Sequence, residues 1–427
     1  MAKAPVTRHN AHTLAAGVVG NVVEWYDFAL YGYLAPVFSS LFFPGGSNLT
    51  ALLKTYGVFA AGFVMRPLGS MVFGYIGDRF GRKLTLYLSV ILMTLPTFLL
   101  GCLPDYQSWG VAAPICLVLI RLIQGLSVGG EFSGSVTYVV ETAPQGHRGV
   151  AGSLANFGSI VGMLLGAGAA TLTTNIYDSA AVNDWAWRLP FLFGGILGLA
   201  MFLVRRNMPP SSMFHEHQKQ HEDSSPLRQV LTNNRRELLV ALLFASGYGV
   251  FFYLPLVYLP TWLESQTGMP IATALQINTV GTATLLVLVP LMGWVSDHLL
   301  RRRSLLLLAF GTTVVLAWPL FRLAMDGSWL AALSAQLIFC LLIAIPLGAA
   351  PATFVELFPL SDRLTGYSIA YNLGLGVVGG TAPMIAVWLI ETSGHSLAPA
   401  LYLSLQAAVS LLAAFALRDR SREPLLE

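Results

Sequence analysis

The sequence predicts an all-α membrane protein whose twelve transmembrane helices form two pseudo-symmetric six-helix bundles. Three observations predict it. Of 427 residues, 55% are hydrophobic and 11% charged, whereas an ordinary soluble domain carries about a quarter charged residues. The apolar residues gather into runs of about the 20 residues that one bilayer crossing needs. One half of the chain also repeats signals found in the other.

Taken in order, the runs cover 13 to 42, 51 to 77, 84 to 103, 110 to 140, 149 to 174, 187 to 204, 238 to 263, 272 to 296, 304 to 324, 328 to 355, 364 to 390 and 397 to 417. Between them the basic residues alternate in side. Arg79, Arg82 and Lys83, then His147 and Arg148, Arg205 and Arg206 with Arg228, Arg235 and Arg236, then Arg301 to Arg303, Arg363, and Arg418, Arg420 and Arg422 all fall on one face. The opposite loops hold mainly Asp105, Asp178, Asp184, Glu264, Asp326 and Glu391. The positive-inside rule puts both termini in the cytoplasm of a multi-pass protein of the cell (inner) membrane. The net charge of +3 is topological on this reading, and no nucleic-acid partner is expected. The opening segment MAKAPVTRHNAH lacks a cleavable signal pattern and is expected to be retained. Cys102, Cys116 and Cys340 lie in apolar runs without metal or redox spacing and read as packing residues.

Residues 205 to 237 are the longest polar stretch and read as a linker between a bundle of residues 1 to 204 and one of residues 238 to 427. His215, His217 and His221 within it have no partner set for a metal and read as solvated. The repeat is visible twice. GYIGDRFGRK, from Gly74, is echoed by GWVSDHLLRRR, from Gly293; Glu141, Pro144 and Arg148 line up with Glu356, Pro359 and Arg363 at one offset. Duplicated units of this kind are a transporter architecture with the substrate bound between the halves.

GYIGDRFGRK resembles the loop signature of the major facilitator superfamily. The segments GNVVEWYDFALYGYLAPVFSSLFFP, FVMRPLGS, RLIQGLSVGGEFSGSVTYVVE and WAWRLPF resemble its metabolite:proton symporter branch, which includes proline/betaine, α-ketoglutarate, citrate and shikimate carriers. The resemblance implies a proton-coupled symporter that imports a small carboxylate-bearing metabolite by alternating access, acting as a monomer with the proton as coupling ion and no other cofactor. It also implies that Asp78, Arg79, Arg82 and Lys83, with Asp297 opposite, form an interdomain latch on the cytoplasmic face, and Glu141 and Arg148 are grouped with them. Within the branch, FGSIVGMLLGAG resembles the proline/betaine carrier more than the dicarboxylate carriers. Osmosensory members carry a long C-terminal coiled coil, which a chain ending ten residues after its last apolar run is not expected to share.

The residues themselves point the same way. A charge at mid-bilayer costs about 2.5 to 3.5 kcal/mol or more and marks a pathway or a partner. Glu24 and Asp27 sit in the first run, Arg66 in the second, and Arg121 and Glu131 in the fourth. Glu24, Asp27 and Tyr31 follow the spacing of one helix face. Ionised together, the three acids and two arginines sum to −1, which one proton balances. Glu24, Asp27, Arg121 and Glu131 are therefore the candidates for proton coupling. Static ion pairs tying the first, second and fourth helices together are the alternative. Arg66 leads the candidates for a substrate carboxylate because its planar fork holds both oxygens; Arg121 can exchange roles with it. Tyr31, Gln124, Tyr253, Asn278 and Asn372 complete the expected substrate set. Trp25, Tyr26, Tyr31, Phe132 and Tyr138, with Tyr248, Phe252, Tyr253 and Tyr258, crowd the same regions and read mostly as packing, with a quaternary-ammonium cage as the functional alternative. Glycines 125, 129, 130 and 134, and 158, 162, 166 and 168, predict close helix contacts.

Other classes fit less well. Drug-proton antiporters usually kink a glycine-rich fifth helix with proline, and GSIVGMLLGAGAATL has none. No phosphate loop, metal triad or nucleophile beside a histidine suggests an enzyme. A non-transporting receptor on this fold has no need of a buried proton relay.

Overall fold

The computed structural model describes residues 8–72, 82–129, 131–206, 226–360 and 362–426, with side chains described outside 8–20, 82–87, 131, 201, 204–206 and 226–229. These residues form twelve long helical segments: α1 (Arg8–Tyr33), α2 (Asn48–Val72), α3 (Arg82–Gly101), α4 (Ala112–Thr142), α5 (Arg148–Ile176), α6 (Arg188–Arg206), α7 (Arg235–Thr267), α8 (Ile271–His298), α9 (Arg302–Ala324), α10 (Trp329–Leu357), α11 (Arg363–Ser393) and α12 (Ala398–Ala416). Among the described residues, nine are long and apolar enough to cross a membrane, and Leu88–Gly101 and Arg188–Ala200 are shorter apolar stretches inside α3 and α6. Of the expected linker, residues 207–225, with His215, His217 and His221, lie outside the described residues, and Pro226–Asn233 forms a short helix.

Two helices contain a π-helical stretch. In α7 it covers Leu254–Tyr258, with Pro255 inside it and Pro260 just beyond, and in α11 a longer one covers Tyr371–Gly379, which contains no proline. Pro lacks the amide hydrogen that the regular ladder requires, and such bulges concentrate at functional sites. Here they adjoin Tyr253 and Gly376, both of which turn out to lie near Arg66.

The first half, α1–α6, meets the second, α7–α12, along four seams: α5 against α8 and α10, α4 against α10 and α11, α2 against α11, and α1 against α7. The seams are closed on both faces. On the face away from the termini, the Tyr56 hydroxyl donates to Thr261 Oγ1 at 2.9 Å, Thr50 donates to Glu391, Gln276 donates to Asn175 at 2.7 Å, and Thr171 and Thr279 share a bond. On the terminus face, the Gly149 and Val150 amides donate to Asp297, and Asn156 donates to the Leu347 carbonyl. Among the described residues, hydrogen bonds therefore join the halves on both faces.

Glycine makes the helix crossings possible. A Cβ at Gly125 would overlap the Gly62 carbonyl, and one at Gly129 the Arg66 carbonyl, so α2 and α4 touch backbone to backbone. Gly162 and Gly166 do the same for α5 against α1. Gly134 and Gly168 face open space and are not packing glycines, so the four-residue spacing overcounts the contact. Gly130 lies outside the described residues. Of the cysteines, Cys340 is buried in the core, while Cys102 is exposed and does not pack there.

Candidate functional site

Helix α1 places two carboxylates one turn apart, and each meets its own arginine. Arg66 of α2 donates to Glu24 Oε1 at 2.7 Å. Arg121 of α4 donates to Asp27 Oδ2 at 2.5 Å. All four side chains are buried. Leaving any of them unpaired in this interior is costly, which is why the sequence keeps them as pairs.

The two pairs differ in what surrounds them. Arg66 lies over the rings of Phe63, Phe28 and Trp25, at 4.5, 5.1 and 5.8 Å from their centroids. Across the seam Tyr253 packs on Phe63 at 5.1 Å and stacks on Trp25 at 6.2 Å, with Phe252 edge-on to Trp25 at 5.2 Å. Gly376 of α11 leaves room beside the Arg66 side chain. This is an aromatic box at the junction of the halves, already holding one cation. Among the described residues, Arg66 Nε, Trp25 Nε1 and the Tyr253 hydroxyl find no hydrogen-bond partner, and neither do Nε and Nη2 of Arg121 in the other pair.

Asp27 and Arg121 sit inside the first half and are sealed, each with a side chain at 0% exposure. The Thr97 hydroxyl of α3 donates to Asp27 Oδ1 at 2.9 Å, and Gln124 donates to Thr97 at 2.9 Å. Arg121 lies 4.0 Å above the Tyr31 ring, whose hydroxyl donates to the Thr55 carbonyl. Phe28 is common to both pairs, with the Arg121 guanidinium 5.8 Å and that of Arg66 5.1 Å from its centroid.

The remaining expected residues are dispersed. Asn372 donates to the Gly129 carbonyl across the seam at 2.9 Å. Asn278 accepts from Gln336 in a buried cluster of the second half. The Glu131 side chain is not among those described; nor are Asp78 and Arg79 or the side chains of Arg82 and Lys83.

On the terminus face the gate residues form a network larger than expected. Arg148 donates to Glu356 and Arg363 to Glu141, each across the seam. Arg302 donates to both Glu356 oxygens and, at 2.7 Å, to Asp297. Arg302 and Glu356 are buried; sequence reasoning took the first for a topological charge and the second for part of a loop. Thr97 and Phe63 were missed entirely, because one hydroxyl or one ring in an apolar run carries no signal by itself.

This helical arrangement is matched by known proteins. The family described as sugar (and other) transporter covers residues 13–237 and 212–419. The chain belongs to that family. The transporter is 33% identical to the ectoine/proline transporter ProP of Corynebacterium glutamicum over 96% of this chain and 84% of the relative. It is 32% identical to the alpha-ketoglutarate permease of Escherichia coli, over 97% and 95%, and 32% identical to the citrate-proton symporter of Klebsiella pneumoniae, over 94% and 90%. Its fold superposes on that of a D-xylose-proton symporter with a TM-score of 0.75 over 98% of each chain at 19% identity. The major facilitator superfamily symporter XylE gives 0.72 over 97% of each at 17% identity. The expected superfamily and twelve-helix fold therefore hold for this transporter.

Proposed function

We propose that the protein is a proton-coupled symporter that binds a small carboxylate-bearing metabolite between its halves, with Arg66 as the carboxylate anchor and Asp27 as the proton carrier. The observation that carries this reading is the different placement of the two pairs: Arg66 lies among aromatic rings contributed by both halves, whereas Asp27 and Arg121 are held by Thr97 and Tyr31 within one half. A substrate carboxylate replaces Glu24 on the Arg66 fork, and Trp25 and Tyr253 supply further donors. Protonation of Asp27 releases Arg121, which leaves a net charge change inside the first half as the halves rock. Glu24, displaced from Arg66, is the second group able to accept a proton, and Glu131 completes the set. Tyr31 and Gln124 hold the Asp27 pair, while Asn278 and Asn372 belong to the moving wall of the second half.

The protein is placed in the cell inner membrane with both termini cytoplasmic, so that the gate network of Glu141, Arg148 and Asp297 closes the cytoplasmic face together with the loop of Asp78, Arg79, Arg82 and Lys83. It works as a monomer without a cofactor, with bundles at residues 1–204 and 238–427 joined by the linker of residues 205–237.

The aromatic box favours one class among carboxylates. Three rings that hold a guanidinium can hold a methylated or cyclic ammonium after Arg66 swings to the substrate carboxylate, and the relatives named for proline and ectoine fit that class. A dicarboxylate gains nothing from the rings. The test is uptake by proteoliposomes with an imposed inward proton gradient, using proline, a betaine, citrate and α-ketoglutarate as substrates. Gradient-driven accumulation of a zwitterion supports the reading, accumulation of a dicarboxylate alone moves the substrate class, and uptake that ignores the gradient defeats the coupling assignment.

A further inference from the structure

Beyond the last helix the chain turns back across the terminus face, and we infer that residues 417–426 are a strap that holds this face of the transporter shut, with Asp419 as its positioning residue. The inference needs only that the halves part there during transport and does not depend on the substrate.

The strap is anchored to the second half. Leu417 is buried, Asp419 Oδ2 accepts from the Arg303 amide at the start of α9 at 3.0 Å, and Asp419 Oδ1 accepts from the Ser421 amide and hydroxyl. Arg303 also donates to the Phe415 carbonyl at 2.7 Å. Asp419 thus caps the N-terminus of α9, where free amides and the helix dipole favour a carboxylate. From that anchor the backbone crosses the seam. Gln145 of the first half donates to the Arg422 carbonyl at 3.3 Å, and Arg148 donates to the Glu423 carbonyl at 2.9 Å. The chain then returns to the second half, where Arg363 donates to the Leu426 carbonyl at 2.6 Å.

Among the described residues, Arg148 and Arg363 are the arginines whose ion-pair partners lie across the seam. The strap therefore spends its carbonyls on the groups that must separate when this face opens. Its grip on the first half is made by backbone oxygens, while the side chains of Arg422 and Glu423 are exposed. The grip therefore leaves little mark in the sequence; the anchoring Asp419 is its readable part. When the face opens, Arg148 and Gln145 leave with the first half, and the strap stays on α9 and Arg363. A hydrogen bond to a charged group is enough to shift such a balance by about tenfold.

The test uses the full chain in lipid nanodiscs, with Cys102, Cys116 and Cys340 replaced by serine and spin labels at Thr142→Cys and Leu300→Cys, one exposed position in each half. Asp419→Ala, and separately a chain stopped after Leu417, are expected to raise the population with a long label distance about three- to tenfold. Asp419→Asn, which keeps a capping oxygen, is expected to restore the parent distribution. Substrate KM and maximal rate should move together in the opened variants, as for a gating change. Parent-like distances in Asp419→Ala overturn the inference. If the shortened chain does not reach the membrane, Asp419→Ala and Gln145→Ala decide it by the same readout.

Discussion

Arg148 donates to Glu356 at 3.3 Å and Arg363 donates to Glu141 at 2.6 Å, so each half of the molecule gives its arginine to the glutamate of the other. The four residues are the same two positions of the repeated unit, which means that the duplication built a symmetric clasp from a single motif. The symmetry is incomplete in its surroundings. Glu356 is 5% exposed and holds Arg302 as well, whereas the Glu141 side chain is 19% exposed and Arg363 is its one ion-pair partner among the described residues.

That asymmetry predicts unequal mutants. Glu356→Ala takes the shared carboxylate from two buried guanidiniums, leaving Arg302 with Asp297 and Arg148 with the Glu423 carbonyl; breaking such a buried pair costs about 3–5 kcal/mol and should cut the yield of monodisperse protein severely. Glu141→Ala takes one carboxylate from buried Arg363, which keeps the Phe358 and Leu426 carbonyls as acceptors, and should cost less than Glu356→Ala. Thermal unfolding followed by size-exclusion fluorescence separates the two. Equal melting shifts would show that the extra Arg302 contact carries no weight.

Substituting Arg66→Lys keeps the charge and loses both the planar fork and the stacking on Phe63, Phe28 and Trp25. The apparent KM should rise about tenfold or more with a smaller change in maximal rate, because the loss falls on binding. An unchanged KM in initial-rate uptake would take Arg66 out of the substrate site.

The close approach of α2 and α4 makes a prediction for backbone packing. Gly125→Ala drives a methyl into the Gly62 carbonyl and should destabilise by about 1–3 kcal/mol or more, while Gly134→Ala meets open space and should be silent or slightly stabilising. Melting temperatures of the two purified variants provide the comparison, and a harmless Gly125→Ala would mean that the helices separate easily at this crossing.

The difference between those glycines also shows what was legible in the sequence. Apolar runs and mid-membrane charges are strong local signals, so the twelve helices and Glu24, Asp27, Arg66 and Arg121 could be read directly. Which carboxylate meets which arginine depends on helix rotation, and no spacing rule supplies it. The glycine spacing marked the contact faces of α4 and α5 but ran on past the contact to Gly134 and Gly168. Arg302 looked like one more topological arginine because its burial is set with Glu356, which arrives from elsewhere in the chain. The strap was invisible for a related reason, since carbonyl oxygens have no letter in the sequence.

The strap also predicts a pH response. Partial burial pushes the Asp419 carboxyl up, but the Ser421 hydroxyl, the Arg303 and Ser421 amides and the charge of Arg301 outweigh it and hold it below the usual carboxylate range. A group depressed in the folded state contributes above its unfolded value of about 3.9 and loses that contribution only as pH falls through the depressed one. The anchor should therefore be constant from about pH 5 to 8. The ratio of uptake by Asp419→Ala to uptake by the parent should be flat across that window, even where both rates vary. A ratio that changes with pH would place a second titrating group in the strap.

The last prediction separates the two carboxylates of α1. Asp27→Asn keeps the shape of the group and an oxygen for Thr97 but cannot bind and release a proton. It should retain substrate exchange across proteoliposomes within about twofold while abolishing accumulation against a gradient, because exchange needs no net proton movement and accumulation does. Glu24→Gln sits on the seam, where it competes with substrate for Arg66. Removing that competition should lower KM while leaving accumulation in place, provided that Asp27 alone carries the proton. Loss of accumulation in Glu24→Gln with normal accumulation in Asp27→Asn would reverse the roles of the two residues and make the sealed Asp27 and Arg121 pair the structural one.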